Sequence, residues 1–64
     1  MSNDVLKDLA GKEGVAHTTL RPAGIAKIDG NLVDVVTEGD FIDAGSPIVV
    51  LRVVGGRNIV RKRD

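Results

Sequence analysis

Sixty-four residues make at most one domain, and a chain this short buries only about 60% of the surface that its unfolded form exposes. Small domains often offset that with disulfides or a structural zinc, but there is no cysteine here and a single histidine, His17, so neither is available. Nine basic and nine acidic residues cancel, so no net field draws the chain to nucleic acid or anionic lipid, and no run approaches the roughly 20 apolar residues of a membrane span.

In chain order, Ser2-Asn3-Asp4 can cap a helical turn from Val5 to Leu9, which Ala10-Gly11 would end. A turn this short does not stabilise itself, so residues 1–11 are expected to be a flexible lead-in or linker remnant, without the pattern of a signal peptide. From Lys12 the period becomes two. Gly14, Ala16, Thr18 and Leu20 fall on one face, a row of small residues ending in a large one that suits the tight interior of a small barrel. Arg21-Pro22 ends this first strand, because proline has no N–H for the ladder, and Gly24 is expected to allow the change of direction that follows.

Ile25–Ile28 and Asn31–Thr37 read as a hairpin joined by Asp29-Gly30, both of which tolerate positive φ. Glu38-Gly39-Asp40 turns the chain again. Phe41, the only aromatic residue, and Ile42 then lie between Gly39 and Gly45, in a loop expected to fold both side chains inward as a core plug. Ser46-Pro47 opens a fourth strand, Ile48–Val54, and Gly55-Gly56 turns it into a fifth, Asn58–Lys62. Five short strands separated by glycine turns predict a small all-β barrel or sandwich, spanning residues 12–63.

These residues carry a family resemblance. Gly11-Lys12-Glu13-Gly14-Val15-Ala16, Thr18-x-Leu20-Arg21-Pro22-x-Gly24 and Ile28-Asp29-Gly30 are followed by Val33-Asp34-Val35-Val36. Glu38-Gly39-x-Phe41-Ile42-x-x-Gly45 and a Val-rich hairpin ending in Val60-Arg61 complete the series. In order and spacing the chain resembles the C-terminal soluble domain of the NfeD (nodulation-efficiency protein D) family from about Gly11 to Lys62. The resemblance implies a five-stranded OB-like barrel behind membrane-spanning helices. It also implies a stomatin- or flotillin-like membrane scaffold as partner, and in longer relatives a separate serine-protease domain of which this chain holds nothing. His17 departs from the aliphatic residue expected there. The opening segment reads as a linker entering a module of a membrane-anchored protein. The lack of cysteine fits a reducing compartment and so favours the cytoplasmic side.

Function is then read from surface chemistry. The third and fourth strands are apolar on both faces, so some of those side chains are expected to lie outside the core, where an apolar patch marks a protein interface. We nominate Leu32, Val36, Ile48, Val50 and Arg52 as that interaction surface, with weak self-association as a further use of it. Nucleic-acid binding, a common use of OB barrels, needs stacking platforms that a chain without Trp or Tyr lacks. The C-terminal basic cluster, Arg52, Arg57, Arg61, Lys62 and Arg63, would give salt-sensitive attraction only, and reads as solvated surface. Ser2, Ser46 and His17 form no recognisable catalytic constellation, so no enzyme, metal or cofactor is expected. The turns around Gly24 and Gly39 also resemble half of a lipoyl or biotinyl carrier. Here, though, the interval between them holds a hairpin, and Lys27 lies within a strand rather than at a tip where a swinging arm must sit.

Overall fold

The computed structural model describes residues 9–63. Five strands, β1 (Glu13–Ala16), β2 (Ala23–Ile28), β3 (Asn31–Thr37), β4 (Pro47–Val54) and β5 (Arg57–Lys62), close into a barrel in the order β1-β2-β3-β5-β4. Neighbours are antiparallel except β3 and β5, which run parallel over Val35–Thr37 and Asn58–Val60. Of the barrel or sandwich that the strand pattern allows, this is the barrel, with the five-stranded OB-like architecture that the family resemblance implies. Closure leaves no edge open along its whole length. The anticipated helical turn lies outside the described residues except for Leu9, which packs against the core. Gly11 donates its N–H to the Val50 carbonyl at 2.8 Å, and Val50 donates to the Lys12 carbonyl at 2.9 Å, so this segment enters along β4.

Both hairpin turns stand as read. Asp29 and Gly30 have φ of 54° and 81°, and Gly55 and Gly56 have 56° and 80°, the two left-handed residues of the tight turn that matches strand twist. The first strand is shorter than its pattern suggested. It stops at Ala16 because His17 and Thr18 both direct their N–H groups to the Ile25 carbonyl, at 2.8 and 3.1 Å, while the Thr18 hydroxyl accepts the Ile25 N–H at 3.0 Å. Leu20 rejoins the barrel as an isolated bridge to Ile42.

The small residues of the inward face have a concrete cause. A Cβ on Gly14 would run into the Lys27 carbonyl oxygen. One on Gly24 would lie 2.6 Å from Leu20 Cδ2 and 2.9 Å from the Thr19 carbonyl oxygen. Gly24 therefore does not redirect the chain, as its sequence context suggested; it sits inside β2, where only a bare Cα lets the Thr18–Leu20 segment pass.

Leu20, Ile28, Ile48, Val50 and Val60 are fully buried and form the centre of the core. The double apolar character of the fourth strand has its origin in a bulge between Val50 and Arg52. Before it, Ile48 and Val50 face inward; the extra residue, Leu51, reverses the phase. After it, Arg52 stands opposite Ile59 on the outside and Val53 packs against the core. Both sets of residues on β4 thus take a turn inside.

Phe41 is not a core plug. It is 73% exposed, whereas Ile42 beside it is 3% exposed. Ile42 is fixed by two backbone hydrogen bonds with Leu20, at 2.8 and 3.1 Å, and the buried Thr37 holds the turn by donating to the Asp40 carbonyl and accepting the Gly39 N–H. In extended chain, successive side chains point opposite ways, so seating Ile42 turns Phe41 outward.

Candidate interaction surface

The ladder registers place the outward residues of β1, β2 and β3 side by side. Val15 stands opposite Lys27, and Lys27 opposite Leu32. One step along, Ile25 faces Asp34; a further step brings Ala23 beside Val36, Val36 beside Ile59, and Ile59 beside Arg52. Val15 and Leu32 are about half exposed or more, at 45% and 57%, while Ile25, Val36 and Ile59 are half-buried. The result is an outer face that carries apolar side chains on each of the three strands, with Lys27 and Asp34, of opposite charge, set among them.

Of the five residues nominated from sequence, three lie on this outside and two do not. Leu32 and Val36 belong to the β3 outer row, and Arg52 lies across β5 from it. Arg52 makes an exposed ion pair with Glu38 at 2.8 Å, across the outer side of β5. Ile48 and Val50, at 0% and 1% exposed, are core residues, because they precede the bulge that re-phases β4. Sequence reasoning missed Val15, Ile25, Ile59 and Phe41. The two-residue turn at Asp29-Gly30 fixes the pairing of Ile25 with Asp34 and so was signal enough for Ile25; the other three depend on long-range register or loop geometry.

The remaining polar groups form no catalytic arrangement among the described residues. Lys12–Asp29 at 2.9 Å and Arg63–Glu13 at 3.6 Å are exposed pairs, of the kind that contribute little. No group of three or more His, Asp or Glu side chains among the described residues could hold a metal ion. Lys27 sits in mid-strand on β2 and at no hairpin tip. No helix among the described residues is long and apolar enough to cross a membrane.

The closed five-strand topology, with apolar side chains on the outside of β1, β2 and β3, defines a small OB-like β-barrel domain. Over residues 6–62 the chain matches the family described as the NfeD-like C-terminal, partner-binding domain, and it belongs to that family. It is 42% identical over 62 residues to the membrane protein NfeD1b of Bacillus subtilis (strain 168), covering 97% of this chain but 14% of that protein. The chain thus spans only a small part of that relative's length. In fold it is similar to the C-terminal domain of stomatin operon partner protein 1510-C from Pyrococcus horikoshii, with a TM-score of 0.82 at 24% identity, covering 88% of this chain and 89% of the other.

Proposed function

We propose that this barrel, residues 12–63, is the partner-docking module of a membrane-anchored protein and that it binds a stomatin-type membrane scaffold through the outer face of β1, β2 and β3. Binding there would help to organise the membrane assembly or regulate an associated membrane protease; the barrel itself performs no chemistry. The observation that carries this reading is the set of apolar side chains, Val15, Leu32, Ile25 and Val36, that the three strands bring to one outer face. Family membership as a partner-binding domain supports it, as does the resemblance to a domain named for the stomatin operon.

Exposure of Phe41 offers the nucleic-acid reading a platform that it lacked on sequence grounds. The loop that presents it carries Glu38, Asp40 and Asp43, whose carboxylates repel phosphate, so a protein partner remains the better fit. The test is retention of the chain by a purified, detergent-solubilised stomatin-type protein, alongside retention on single-stranded DNA at physiological salt. Capture by the protein and none by DNA supports the proposal; the reverse pattern refutes it.

A further inference from the structure

β3 uses its two edges unequally. Along one it pairs with β2 from Asn31 to Val36; along the other β5 reaches only Val35, Val36 and Thr37. The two-residue turn makes Ile28–Asn31 the first hydrogen-bonded pair of the β2–β3 ladder. Antiparallel alternation then commits Asn31, Val33 and Val35 to β2 and turns the N–H and C=O groups of Leu32, Asp34 and Val36 the other way. Val36 meets β5. The Asp34 carbonyl accepts the Asn58 side-chain amide at 3.0 Å, the last group of β3 that β5 reaches. Beyond it lie the Asp34 N–H and both the N–H and C=O of Leu32, to which no strand, and no backbone hydrogen bond of a turn or loop among the described residues, is directed.

The open stretch adjoins a depression of about 360 Å³ lined by Ala23 of β2, Asp34–Val36 of β3, and Gly56 with the start of β5 at Arg57 and Asn58. Arg57 and Asp34 both line it, and neither is in an ion pair among the described residues. We propose that the β3 edge from Leu32 to Asp34 receives an extended segment of the protein partner as an added strand. This rests on the partner-docking reading above. Ladder groups of alternating polarity are matched by another extended main chain, which supplies acceptors and donors at the same spacing. Such a strand would continue the outer face begun by Leu32 and Val36, and would bring a carboxylate within reach of Arg57. The opposite charge of Asp34 in the same depression disfavours a phosphate or an anionic lipid surface as occupant.

The experiment is residue-resolved amide hydrogen exchange on the 64-residue chain, alone and saturated with a solubilised stomatin-type protein. Alone, the Leu32 and Asp34 amides should exchange at least about tenfold faster than Val33 and Val35, and in the complex they should slow by at least about tenfold. A second arm compares Leu32→Pro with Leu32→Ala. Proline removes an edge donor that β2 does not use and also fixes φ at that position, so in a variant whose amide spectrum shows the β2–β3 ladder intact it should weaken binding beyond the loss caused by alanine. Leu32 and Asp34 amides already slow in the dilute free chain would show that the edge is closed and overturn the proposal. Binding without their protection would overturn the added strand alone and leave docking on the outer face. Failure to bind at all would remove the partner reading and the added strand with it. Protection that grows with chain concentration in the absence of the partner would assign the edge to a second copy, and would also overturn the proposal.

Discussion

Val50 stands directly opposite Val60 in the barrel interior, and both are almost completely shielded from solvent. The pair is the structural reason that charge at Val50 cannot probe an interface. Val50→Ala should lower stability by about 2 kcal/mol in urea denaturation, and Val50→Asp should leave the chain unfolded by circular dichroism. A Val50→Asp variant with wild-type stability would mean that β4 is phased differently.

Val36 is the counterpart on the outside, lying between Ala23 and Ile59. Val36→Asp should fold and melt close to wild type, since the carboxylate can reach solvent, and should weaken partner capture by about tenfold or more. Leu32→Asp should act in the same direction. Unfolding of either variant, seen in the amide spectrum, would show that these side chains belong to the core.

The Phe41–Ile42 pair separates surface from core within one dipeptide. Phe41→Ala should change stability by no more than about 0.5 kcal/mol, whereas Ile42→Ala should cost about 2–5 kcal/mol. Chemical denaturation of the two variants reads the difference directly. Equal losses would place Phe41 back inside.

Gly14 and Gly24 are needed for close approach and not for backbone freedom. Gly14→Ala must displace the Lys27 carbonyl, and Gly24→Ala the Thr18–Leu20 segment, so each should cost about 1–3 kcal/mol. Gly30→Ala is different in kind: nothing crowds its Cβ position, and its cost comes from a φ of 81°. Thermal melts of the three variants, with amide spectra, distinguish crowding from backbone strain. Crowding shifts signals across the facing strand, whereas strain at Gly30 stays in the turn.

Much of the fold was legible because its determinants are local. Asp29-Gly30 and Gly55-Gly56 set two hairpins, and the first of them also fixes which β3 residues share a face with β2. What escaped is non-local. A bulge leaves no signature in a strand apolar on both faces, so Ile48 and Val50 could not be told from Val53 by period alone. Phe41 misled for a related reason: hydrophobicity suggested the core, but two hydrogen bonds between Ile42 and Leu20 decided which neighbour turned inward. Of the candidate surface, Leu32, Val36 and Arg52 could be placed from pattern. Val15 and Ile59 needed the pairing of β1 with β2 and of β5 with β3, partners distant in sequence.

The most direct test of the docking surface is an equilibrium titration of a solubilised stomatin-type protein with the wild-type chain and with Val36→Asp, both confirmed folded. The account predicts saturable binding by the wild type and affinity at least about tenfold lower for the variant. Equal affinities would contradict it, because the partner would then be held by some surface other than the outer face of β1, β2 and β3.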